Sequence, residues 1–139
     1  MLEAFIIIVI HYIADFIFQD GDWAVNKSKS VKPLLAHTTM YTFVWFVSIG
    51  LICRITSSDV DTAYFTNTQC INLIFLFPPI TFIFHTITDY YTSKITSKMY
   101  ENGNFGSRIP VFGFFSMVGF DQVLHYAQLF LTYYLLINL

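Results

Sequence analysis

Leu2-Glu3-Ala4-Phe5-Ile6-Ile7-Ile8-Val9-Ile10-His11-Tyr12-Ile13-Ala14-Asp15-Phe16-Ile17-Phe18 is the stretch whose reading decides the fold. It is apolar and close to the ~20 residues that a helix needs to cross a bilayer. It also carries a histidine and an aspartate four residues apart, which a helix places on one face. No cationic segment precedes it, so it reads as a retained transmembrane helix rather than a signal peptide.

The rest of the chain repeats the theme. Apolar segments at about 34–55, 70–91 and 119–139 are also near spanning length. His85 pairs with Asp89 in the third and Asp121 with His125 in the fourth, while His37 heads the second with Tyr41 four residues on. All four histidines and three of the seven aspartates belong to this set. The stripes continue through Gln19, Thr81 and Gln128. Pro78-Pro79 should kink or break the third helix. The stretch 105–118 is apolar but holds Gly106, Pro110 and Gly113, and reads as a short interfacial or re-entrant piece. The expected fold is therefore all-α: a single polytopic domain over 1–139, a four-transmembrane-helix bundle with that short piece before the last helix.

Composition agrees. Hydrophobic residues make up 55%, charged residues 12%, and the mean hydropathy is +0.59, whereas a soluble domain carries about 25% charged residues. The net charge of -2 gives no basic field and argues against a nucleic-acid partner. Cys53 and Cys70 form no disulfide framework and no Cys-rich zinc module. Both fall near the outer face, where they are either bonded or two buried thiols.

Loop charge orients the bundle. Lys27, Lys29 and Lys32 follow the first apolar segment, and Lys94, Lys98 and Arg108 follow the third. Asp59 and Asp61 lie between the second and third. The first and third loops then face the cytoplasm, and both termini face out. In this orientation every His/Asp residue falls at one depth, in the cytoplasmic leaflet of an inner membrane.

An aspartate near a helix centre costs on the order of 2.5–3.5 kcal/mol in insertion scales. Divalent cations would neutralise three such carboxylates directly. Neutral imidazole and carboxylate suit Zn²⁺ first, with Fe²⁺ or Mn²⁺ as alternatives. The expected metal ligands are His11, Asp15, His37, His85, Asp89, Asp121 and His125. Seven exceed the four of a closed zinc site, so either two ions bind or some residues act as orienters and bases. Asp89 and Asp121 are the choices for metal bridge or general base.

The run His11-Tyr-Ile-Ala-Asp15-Phe-Ile-Phe-Gln19, then Trp23-Ala-Val-Asn-Lys27, Leu34-Leu-Ala-His37-Thr-Thr-Met-Tyr41, Phe84-His85-Thr-Ile-Thr-Asp89-Tyr and Phe120-Asp121-Gln122-Val-Leu-His125, resembles the DUF3307 family of bacterial and phage integral membrane proteins. The resemblance implies a membrane location and the motif set, and carries no activity. A looser likeness to membrane-bound metal-dependent hydrolases favours metal chemistry.

The first functional expectation is a metal-dependent hydrolase in which the ion polarises a phosphoryl or acyl oxygen and activates water. Its substrate would be a lipid or a small phosphorylated compound, held by Lys27, Lys94, Gln19 and Tyr41. The second is a small ion or proton transporter or channel, which would need a homo-oligomer. The third is a non-enzymatic membrane interaction protein with a structural metal.

Overall fold

The computed structural model describes residues 1–56, 65–105 and 112–139. The described residues are helical and turn structure without strands, in agreement with the all-α expectation. Helix α1 (Leu2–Tyr12) runs into a π-helical turn (Ile13–Ile17). A short α2 (Gly21–Asn26) follows, then α3 (Val31–Thr56), α4 (Asn67–Glu101) and α5 (Phe112–Ile137). Asp59, Asp61, Gly106, Arg108 and Pro110, which entered the loop reading, lie outside the described residues.

The helices form a ring. α4 packs between α3 and α5, and α1 closes the circle against α3 and α5; α2 and the π-helical turn rest on α3. Local chemistry sets the boundaries. Asp20 caps α2 by accepting from the Asp22 amide at 2.8 Å. Thr66 and Gln69 form a reciprocal capping box at the start of α4. Gln69 Nε2 also donates to the Ile137 carbonyl at 2.8 Å, tying the start of α4 to the end of α5. Gly103, at φ 69, ends the turn after α4. A Cβ on Gly113 would meet the Phe105 ring at 2.7 Å, so glycine lets α5 start against that ring.

Three sequence expectations change. Pro78-Pro79 does not break α4, which continues as one 35-residue helix. Only the Ile74 and Phe75 carbonyls lose their i+4 donors there, and Phe77 and Pro78 are buried in the bundle that holds the helix. Second, α4 runs three turns beyond Asp89, so Lys94 and Lys98 lie on a helix rather than in a loop. Third, residues 112–118 are the first turns of α5, not a separate interfacial piece.

Among the described residues two helices, α3 and α4, are long and apolar enough to cross a membrane, rather than four. α1 with its π-helical turn spans only 2–17, roughly 24 Å at 1.5 Å per residue. α5 is long enough at 26 residues, but Asp121, Gln122, His125 and Gln128 dilute its apolar character.

The interior joins an apolar core, with Ile7, Trp45, Leu73, Phe77 and Leu129, to a buried polar cluster. His11, His37, His85, His125, Asp15 and Asp89 are all buried, whereas Phe5, Phe43, Leu51, Phe75, Ile83 and Leu131 are exposed. A buried polar cluster inside an apolar surface is what lipid as a solvent demands.

Candidate metal centre

Each ligand-bearing helix reaches the centre differently. In the π-helical turn the Phe18 amide donates to the Ile13 carbonyl, five residues back, at 3.0 Å. Asp15, on this turn, lies closer to His37 than to His11: His11 Nε2 lies 3.7 Å from Asp15 Oδ2, while His37 Nε2 lies 3.1 Å from Asp15 Oδ1. Such π-turns inside helices often mark functional sites. The other i,i+4 pairs are also loose, at 3.6 Å for His85–Asp89 and 3.5 Å for His125–Asp121. The shortest contacts are those of His37 and Lys27 between elements: His37 Nε2 to Asp89 Oδ2 at 3.2 Å, and Lys27 Nζ to Asp89 Oδ2 at 3.0 Å.

Four atoms from three elements converge. His37 Nε2 is 3.1 Å from His85 Nε2, 3.1 Å from Asp15 Oδ1 and 3.2 Å from Asp89 Oδ2. His85 Nε2 is 3.5 Å from Asp15 Oδ1 and 3.6 Å from Asp89 Oδ2. Zinc bonds of 2.0–2.2 Å in a tetrahedron require ligand–ligand edges of about 3.3–3.6 Å. Five of the six edges, from 3.1 to 3.6 Å, match that requirement to within a few tenths of an ångström. Asp15 Oδ1 is buried, and its partners are the His37 and His85 imidazoles, either as a protonated imidazole or through a cation held between them. Two groups of buried residues could each hold a metal ion: Asp15, His37 and His85; and His85, Asp89 and His125.

Charge points the same way. Asp15, Asp89 and Asp121 carry three negative charges, and Lys27 returns one positive charge from the segment after α2. The remaining two negative charges are balanced either by protonated imidazoles, since His37 and His125 contact the carboxylates directly, or by one divalent ion on neutral ones. Burial alone would lower the Lys27 pKa, but the Asp89 and Asp15 carboxylates outweigh it and hold the ammonium above its ordinary range.

The remaining predicted residues divide clearly. His11 joins the cluster, but both of its ring nitrogens are engaged. Nε2 donates to Gln122 Oε1 at 2.7 Å, and Nδ1 is 2.8 Å from the Tyr41 hydroxyl. Tyr41 is fully buried, its ring stacked on His85 at 3.8 Å between centroids. It therefore orients two histidines instead of meeting a substrate. Asp121 sits at the edge, accepting from Thr92 Oγ1 at 2.5 Å and from Gln122 Nε2 at 3.2 Å. Gln19 lines a cavity of about 370 Å³ beside the cluster, together with Lys27, Asp15, Asp89 and Asp121. Lys94 does not join them; it is exposed, with Nζ 3.8 Å above the Tyr90 ring.

Gln122 is the residue that sequence reasoning missed. It links His11, Asp15 and Asp121 at once. It stands next to Asp121, off the i,i+4 stripe, and only its place in the Phe120-Asp121-Gln122 run signals it. Thr92 was missed for the same reason, three residues after Asp89. Comparison with protein-family models, with curated proteins and with solved structures finds no match to this chain.

Proposed function

We propose that this chain is an inner-membrane protein with a His/Asp metal centre in the cytoplasmic leaflet, acting as a metal-dependent hydrolase on a lipid or phosphorylated substrate. The observation that carries the reading is the pair of buried imidazoles, His37 and His85, each 3.1–3.6 Å from carboxylate oxygens of Asp15 and Asp89, beside a cavity. Zinc is the preferred ion for two imidazoles and two carboxylates. The DUF3307-like motifs and the apolar outer surface support four spanning segments with both termini outside. α1 and α5 complete the ring around α3 and α4 and would cross the bilayer with them.

A bound divalent ion would polarise a phosphoryl or acyl oxygen and make water a better nucleophile. The chain's own residues do the rest. His37, His85, Asp15 and Asp89 hold the ion. Gln122 and His11 fix the Asp15 carboxylate. Lys27 reaches the cavity from the side of α2 and offers a cation to an anionic head group. Phe16, Val25, Phe114 and Met117 give the same cavity apolar walls, suited to the adjoining part of a lipid.

A structural role for the ion is the second reading, favoured by the four-donor set, since closed zinc sites are structural. Metal analysis and turnover separate the two. Detergent-purified protein should contain Zn, Fe or Mn and hydrolyse a phosphorylated lipid or a generic phosphoester probe in a chelator-sensitive way. Metal without turnover, with a melting temperature that falls in chelator, supports the structural staple. No metal under replete conditions, with folding unchanged by chelator, defeats both.

A further inference from the structure

The four-donor set leaves one end of the cluster unexplained. Asp89 Oδ2 faces His37 and Lys27, but Asp89 Oδ1 points the other way and has no hydrogen-bond partner. His125 Nε2 lies 3.4 Å from Asp89 Oδ1 and is likewise buried and unpartnered. Asp121 Oδ1 lies 3.5 Å from the same nitrogen. The Asp89 and His125 side chains are each 1% exposed. These atoms meet one another only at ion-pair range, 3.4–3.5 Å, and leaving buried polar atoms without a close hydrogen bond is expensive.

We infer that a second divalent cation binds on His125, Asp121 and Oδ1 of Asp89, so that the Asp89 carboxylate bridges two ions. This inference rests on the metal centre proposed above and extends it. The two positions differ in kind. The first is enclosed by four protein atoms. The second has three, and Asp89 and Asp121 among its ligand residues line the 370 Å³ cavity, as Asp15 and Asp89 of the first also do. Its open coordination positions therefore face the space where a substrate would sit, as catalytic sites require. Asp121 becomes a ligand under this arrangement, with Thr92 and Gln122 orienting it. The competing arrangement is one ion shared between the two groups, since His85 belongs to both.

Metal stoichiometry decides. Protein purified in detergent and equilibrated with Zn²⁺ should bind two ions per chain by mass spectrometry of the metal. Asp121→Asn and His125→Gln should each bind one, and Asp89→Asn should bind none. A bridging carboxylate sets the ions about 3.5–4 Å apart, so Mn²⁺-loaded wild-type protein should give an exchange-coupled paramagnetic resonance signal. This readout does not depend on any variant folding. One ion per wild-type chain with the signal of isolated Mn²⁺ overturns the second site and leaves the first. Two ions that survive both Asp121→Asn and His125→Gln also overturn it. A ratio of zero in the wild type overturns the metal reading itself.

Discussion

The same four long elements enclose two interiors of opposite character. At the end near α2 they surround His and Asp side chains with unserved polar atoms. At the other end α1, α3, α4 and α5 surround a cavity of about 190 Å³ lined by Ile6, Trp45, Ile49, Leu73 and Phe77. The buried thiols Cys53 and Cys70 lie at that apolar end. Apolar packing there needs only volume to match, and dispersion supplies the attraction. Packing at the α2 end needs charge to match, and the protein atoms alone do not complete it. The apolar end should therefore tolerate metal removal, and the α2 end should not.

The largest effect is expected from Asp89→Ala. It removes the carboxylate that faces His37, His125 and Lys27, and leaves the Lys27 ammonium buried without its partner. Metal binding should be lost and stability should fall by about 3–5 kcal/mol, read by metal analysis and thermal unfolding in detergent. Leu73→Ala at the apolar end is the counterpart. It should destabilise by roughly 2–5 kcal/mol through the cavity it opens, with metal content unchanged; a loss of metal would show that the two interiors are not independent.

Lys27→Met should have a smaller effect. The ion pair it breaks is worth about 1.5–3 kcal/mol as a charged hydrogen bond. The loss should be greater in chelator than with metal bound, because an ion takes over neutralisation of Asp89; equal losses would argue that Lys27 and metal do not share that carboxylate. Lys94→Ala should matter least. Its exposed contact with the Tyr90 ring is worth about 0.5–1 kcal/mol, and metal content and turnover should not move. A drop in turnover would return Lys94 to the substrate site.

The residues that converge were legible because a bilayer penalises them. His11, Asp15, His37, His85, Asp89, Asp121 and His125 stand out against an apolar background, and helical spacing with loop charge assigns them to one level. What pairing could not tell is which residues touch. The i,i+4 partners lie 3.5–3.7 Å apart, looser than the contacts His37 makes across helices. Lys27 read as a loop cation that could hold a substrate beside the site, and the structure brings its ammonium onto Asp89 itself.

Sequence by itself determined the all-helical class, the apolar exterior and the membership of the polar cluster. Each follows from composition and from a local 3.6-residue period, which need no knowledge of neighbours. Only the tertiary structure decided that α1 is shortened by a π-turn, that α4 runs unbroken through two prolines, and that Gln122 joins three cluster residues. It also decided that His37, His85, Asp15 and Asp89 meet at ligand spacing while His11 turns to Tyr41 and Gln122. Those outcomes depend on how helices rotate and slide against one another, a matter of packing between segments that no single segment encodes.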